Sequence, residues 1–346
     1  MESHELSIPD FFDPVKIPDI WPVNYRAVAE EAGHWAEKYQ VHPAVYDRPR
    51  IALLLIDCQN SFCTPGYSLF VPGRSGDAAV HDSRRICEFI YRNLIHLSRI
   101  VVSLDTHKAM QIFHPAFLLD VDGKHPEPFT IISSEEVAGG KWRINPVAAQ
   151  DLELPSGDAN LHRYLLHYTR TLERSGKYQL MIWPYHVMFG GVDHALVSSI
   201  QEAVFFHTIA RQSQAEYLTK GDRPLTENYS VLAPEVTRDD RSRVIAEPNT
   251  AFLNSLLTYD YVIIAGQAKS HCVAWTVRDL LERATKQDES FAEKIYLLED
   301  CTSPVVIEGG YDFTDDADAA YKEFAESGVH LVSSVDPIVT WPGIKL

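Results

Sequence analysis

Short apolar runs alternating with stretches of helical periodicity constrain this chain more than anything else in it. Beyond residue 50, the runs 51–56, 99–104, 178–183, 213–218, 261–265, 294–298 and 329–333 read as strands. Helices are expected over 78–97, 159–175, 193–208, 272–286 and 315–327. Strand–helix alternation of this kind builds a parallel sheet with helices on both faces. Such a sheet binds its ligands beyond the carboxyl ends of its strands, so the residues that close each apolar run are the first place to look for chemistry.

Composition limits the classes open to the chain. Its 346 residues are 45% hydrophobic and 23% charged, enough for a large core, and a net charge of −17 opposes binding to nucleic acid or to an anionic membrane surface. No apolar run approaches the ~20 residues that span a bilayer, and the start of the sequence lacks a basic and then apolar leader, so a cytoplasmic location is expected. Cysteines at 58, 63, 87, 272 and 301 form no CxxC pair, and reduced thiols are expected. Residues 1–49, with Pro9, Pro14, Pro18 and Pro22 and a helix expected over 27–39, read as an N-terminal extension packing on the main domain or on a partner subunit. Residues 50–346 read as one domain with long insertions near 106–158 and 219–248, the first carrying a short strand near Phe129–Ile132. A sheet protein of this size is expected to form a homo-oligomer.

Three run ends carry reactive groups. Asp57 closes the first and opens Asp57-Cys-Gln-Asn-Ser-Phe62; its carboxylate suits a general base, or a cap on backbone N–H groups. Asp105 and His107 follow the second run, and with a third ligand they can converge on a divalent ion such as Zn, Fe or Mn. His186, in Trp183-Pro-Tyr-His186, is the first choice for that ligand and His114 the competitor. Cys272 lies just past 261–265, where a helix N-terminus favours the thiolate. Lys220 can hold a thiolate–carboxylate pair or an oxyanion. His271 adjoins Cys272, but neighbouring side chains point apart, which disfavours a dyad.

Taken in order, Asp57-x-Gln-Asn-x-Phe62, Asp105-x-His107, Trp183-Pro-x-His186, Lys220-Gly221 and Gly266-x-Ala-x-x-x-Cys272-Val resemble the isochorismatase-like cysteine hydrolases, and within them the nicotinamidases. The resemblance runs from about residue 50 to 335. It implies a three-layer α/β/α sandwich around a mainly parallel six-stranded sheet. It implies Cys272 as nucleophile, Asp57 as base and Lys220 as third member of a triad, with oxyanion contacts from the Ala268 and Cys272 backbone and a cis peptide at Gln267–Ala268. Asp105, His107 and His186 match the family's metal ligands, for Zn first and Fe or Mn as alternatives, and Phe62 would wall a planar substrate. The implied reaction is hydrolysis of a small amide to a carboxylic acid and ammonia, nicotinamide to nicotinate above others. The alternatives are another small amide, carbamoyl or maleamate-like, or a non-catalytic binding or assembly protein. The chain departs from the nicotinamidase pattern at Val187 and at Ser270-His271, and in the length of its insertions.

Overall fold

Ile51–Ile56 (β1) is buried along its whole length, and its alternate residues divide between two cores. Ile51, Leu53 and Leu55 join one apolar cluster, whereas Ala52, Leu54 and Ile56 join another, as the two-residue period of a strand covered on both sides requires. The computed structural model, which describes residues 5–152, 154 and 157–346, places β1 at the centre of a six-stranded sheet. The other strands are Arg99–Asp105 (β2), Glu216–Lys220 (β3), Tyr261–Gly266 (β4), Ile295–Leu298 (β5) and His330–Val332 (β6). Their order is β6-β5-β4-β1-β2-β3, and every pairing is parallel. Chain order therefore reverses at β1 and β4, which opens a crevice at their carboxyl ends.

Helices Tyr25–Lys38 (α1), Ala78–Arg92 (α2) and Ser198–Ala210 (α4) pack on one face. Ala274–Ala284 (α5), Thr314–Glu326 (α6) and the short helix Thr250–Leu256 pack on the other. The expected three-layer fold is present. α1 belongs to the N-terminal extension, where Asn24 caps it by accepting from the Ala27 N–H at 3.2 Å. Its Val28, Ala32 and Trp35 are buried. Residues 1–4 of the extension and residues 153, 155 and 156 of the first insertion lie outside the described residues.

The run 178–183 is not a strand of the main sheet. Only Leu180–Met181 is extended, and it pairs antiparallel with Ile131–Ile132. These residues and Asp158–Ser175 (α3) contribute to a third core with Phe113, Phe117, Trp142 and Tyr168. Much of 106–158 thus packs, together with residues 161–183, Val236 and Phe313, around an apolar centre apart from the two that cover the sheet, which explains why its hydrophobic residues show no sheet periodicity. No helix among the described residues is long and apolar enough to cross a membrane.

Candidate active site

The register of the sheet fixes where the polar side chains meet. Asp105 pairs with Lys220 across β2 and β3, and Ile56 pairs with Gly266 across β1 and β4. At Gly266, φ is +115° and a Cβ would lie 2.0 Å from the Ile56 carbonyl oxygen, so no other residue fits. Asp57, the next residue along β1, holds a left-handed φ of +47° and is fully buried. Ser103 anchors it from β2, donating its hydroxyl to Oδ1 at 2.6 Å and accepting the Asp57 N–H at 3.1 Å. Gln59 ties the two strand ends together: its amide donates to the Asp105 carbonyl and accepts the Asp105 N–H, both at 2.8 Å.

Lys220 is the hub. Its Nζ lies 2.9 Å from Asp57 Oδ2 and 3.2 Å from Asp105 Oδ1, and donates to the Asn228 carbonyl at 3.0 Å and to Cys272 Sγ at 3.5 Å. Burial alone would lower the lysine's affinity for its proton, but the carboxylates of Asp105 and Asp57 reverse the sign and hold it firmly as an ammonium. Burial raises the Asp57 pKa above the usual carboxylate range, with the Lys220 charge opposing. Cys272 sits in a π-helical turn, Lys269–Val273, that leads into α5. Its thiol is not acidified as the helix terminus suggested. Burial and the charge of Asp57 push it well above an ordinary thiol despite Lys220, so the resting group is a neutral thiol that needs a base. The peptide bond Gln267–Ala268 is cis.

Three imidazoles gather beside this hub. One nitrogen from each of His107, His114 and His186 lies within 4.8 Å of the others, and all three rings are buried. A carbonyl oxygen can only accept, so the Nδ1 of His114 donates to Lys108 O at 3.0 Å and that of His186 to Pro184 O at 2.7 Å. Each ring therefore keeps its lone pair on Nε2, the arrangement that outer partners impose on metal-binding histidines. Burial pushes His114 down to about 4 and His186 well below its ordinary value, so both are neutral donors at pH 7. His107 places Nε2 3.1 Å from Asp105 Oδ1; its Nδ1 and the His114 Nε2 are buried with no hydrogen-bond partner among the described residues. Three buried rings that each bring a nitrogen within 4.8 Å of the others, two of them with a ring nitrogen lacking a partner among the described residues, fit a divalent first-row ion. His114, which the sequence offered only as a competitor, is thus one of the three grouped imidazoles that could hold an ion. Asp105 borders the group through His107 while its carboxylate also meets Lys220.

A cavity of about 320 Å³ opens onto both sets of groups. Ala268 and Cys272 border it on one side and Asp105, His107 and His186 on another, with Phe62, Phe129 and Trp183 supplying aromatic surface. Phe62 meets His186 edge-on at 5.8 Å. Sequence reasoning missed two participants. Gln59 stood inside the first motif, its cross-strand role hidden until β1 and β2 were paired. Glu227, buried on the cavity wall, lies in an insertion that carried no periodic signal.

No family model matches the sequence, and no curated protein matches it. Among solved structures, a nicotinamidase/pyrazinamidase from Acinetobacter baumanii shares 20% identity with a TM-score of 0.49, over 83% of this chain and 98% of that one. The yeast nicotinamidase bound to the inhibitor nicotinaldehyde shares 17% at a TM-score of 0.48, over 82% and 99%. A Pyrococcus horikoshii pyrazinamidase in complex with zinc shares 17% at 0.41, over 82% and 99%. By name these three are a nicotinamidase/pyrazinamidase, a nicotinamidase and a pyrazinamidase.

Proposed function

We propose that this chain hydrolyses a small amide to a carboxylic acid and ammonia, with nicotinamide as the first substrate to test. One observation carries the reading: Lys220 Nζ reaches Asp57, Asp105 and Cys272 from a third strand, at 2.9, 3.2 and 3.5 Å. A buried ammonium among a base, a thiol and a second carboxylate supports nucleophilic catalysis better than a structural role, because burying four such groups is costly without a use for them.

In this reading Asp57 takes the Cys272 proton as the sulfur attacks the amide carbonyl. The N–H groups of Ala268 and Cys272 receive the oxyanion, and Lys220 balances the charge of the carboxylate pair. Asp57 returns the proton to the departing nitrogen, ammonia leaves, and a thioester remains. Water, deprotonated by Asp57, then releases the acid. The imidazoles of His107, His114 and His186, with Asp105, would hold a divalent ion, Zn or else Fe or Mn, whose chemistry is to bind and orient a ring nitrogen of the substrate. Phe62 would flank the substrate's planar body.

The test is ammonia release from nicotinamide. Cys272→Ala should lower it by at least about 10³-fold while circular dichroism and the melting temperature stay near those of the parent. A folded Cys272→Ala protein that still turns over would sink the mechanism. Loss of release on chelation, restored by added metal, would tie the imidazole cluster to substrate orientation.

A further inference from the structure

The cavity wall carries a carboxyl group that neither the proposed hydrolysis nor the imidazole cluster uses. Glu227 is 3% exposed, and the hydrogen bonds around it run in determined directions. An indole N–H can only donate, so Tyr229 accepts from Trp183 Nε1 at 3.1 Å and passes its own proton to Glu227 Oε1 at 2.8 Å. The Glu227 backbone N–H likewise donates to the Tyr168 hydroxyl at 2.9 Å, which donates to Oε2 at 3.0 Å. Two phenols therefore hold both carboxyl oxygens as acceptors and fix the group against the cavity.

What this arrangement lacks is a countercharge. No Lys or Arg borders the cavity among the described residues, whereas Asp105, Glu227 and Glu308 do. Lys220 is committed to Asp57 and Asp105, and Lys177 pairs with Glu235 at 2.9 Å. Burial, with Glu235 adding to it, pushes the Glu227 pKa up to about 8. A buried carboxyl that accepts from two phenols and has no cation beside it keeps much of its proton at neutral pH; an incoming cationic or N–H-bearing group stabilises its ionised form and completes the site, whereas an incoming carboxylate adds negative charge with no cation on the cavity wall to balance it.

We propose that Glu227 is a specificity residue, which receives an N–H donor or a cationic group on the substrate away from the scissile amide and excludes amides that carry a carboxylate. This rests on the amide-hydrolase reading and narrows it: carbamoyl acids and maleamate-like substrates would be rejected, and neutral or cationic aromatic amides accepted.

Binding can be read apart from turnover. Isothermal titration of the Cys272→Ala protein with nicotinamides bearing an aminomethyl or a carboxyl group, tried at each free ring position, should show the best amine binding at least tenfold tighter than the best acid. Glu227→Gln in the same background should reduce that ratio at least tenfold. Tyr229→Phe, which removes one donor to the carboxyl but keeps the ring, should change the ratio as well and serves if the glutamine variant does not fold. Equal binding of amine and acid, a ratio unmoved by both substitutions, or binding of neither probe would overturn the proposal. Ammonia release from nicotinamide by the unsubstituted protein reports the hydrolase reading on its own. Charge selection without release would leave the subsite standing and remove the activity, and release without charge selection would do the opposite.

Discussion

Gly221 shows how tightly the lysine is fitted. The residue that follows Lys220 has φ of +83°, and a Cβ there would lie 2.4 Å from Asp105 Oδ1 and 2.9 Å from His107 Nε2. Conformation and space both demand glycine. Gly221→Ala should therefore cost more than strain alone, and Gly140 supplies the reference: its φ is +79°, but nothing lies within 4 Å of the added Cβ. Gly140→Ala should lose about 1 kcal/mol in urea unfolding and leave ammonia release unchanged. Gly221→Ala should lose about 1–3 kcal/mol more and lower turnover, because Asp105 and His107 must shift. Equal losses for the two substitutions, with activity kept in both, would show that the close approach does not matter. At this scale much of the candidate site was legible, since Asp57, Asp105 and Cys272 each follow an apolar run. His114 was harder to choose because it leaves from Phe113-His-Pro, a loop of the insertion, and its ring reaches the other two only after that insertion has folded.

Among the elements, α1 and α4 pack together, and the segment between α1 and β1 is pinned by one buried arginine. Arg211 follows α4 and is 1% exposed. Its guanidinium donates to both carboxylate oxygens of Asp47 and to the His42 and Leu97 carbonyls, and the Asp47 carboxylate also accepts from Ser98 at 2.7 Å. Removing one member of such a pair leaves the other charge buried and uncompensated. Arg211→Met should lose about 3–5 kcal/mol in urea unfolding, and Arg211→Met with Asp47→Asn should recover part of that loss. Neither residue borders the cavity, so turnover at a temperature where the variants are folded should persist. The elements of the sheet were readable wherever both faces are covered, as in Ile51–Ile56 and Ile295–Leu298. They were misread where another core intervenes: the apolar run 178–183 faces the insertion's aromatics instead of the sheet. The strand expected at 213–218 lies at Glu216–Lys220, because pairing with β2, not local hydrophobicity, sets its register, and that shift makes Lys220 the last residue of a strand.

For the molecule as a whole, buried groups of opposite kind set how stability follows pH. His207, wholly buried with its Nε2 donating to Leu97 O at 2.8 Å, is pushed down by burial from 6.5 to about 4, and His271 to about 3. Each binds its proton less tightly when folded, so its contribution is full above about 6.5 and is lost as pH falls toward the lower value. Glu227 is pushed up from 4.5 to about 8; it binds its proton more tightly when folded, so its contribution is full below about 4.5 and is lost as pH rises toward 8. Asp82 and Glu235, also raised by burial, add to the second trend. Each group contributes up to about 1.4 kcal/mol per pH unit inside its own window. The histidine trend acts only below about 6.5, and from there to about 8 the carboxyl trend acts against neither histidine of this pair, so over that upper range these groups should make stability decline as pH rises. Glu227→Gln should gain on the parent by roughly 1.4 kcal/mol per unit from about pH 5 to 8, and His207→Gln, which can still donate to Leu97, should gain on it as pH falls from about 6 to 4. Urea titrations at four or so pH values across this range decide the matter: curves for both variants that run parallel to the parent would mean that neither group changes its proton affinity on folding, and the charge character assigned to the cavity wall would lose its support.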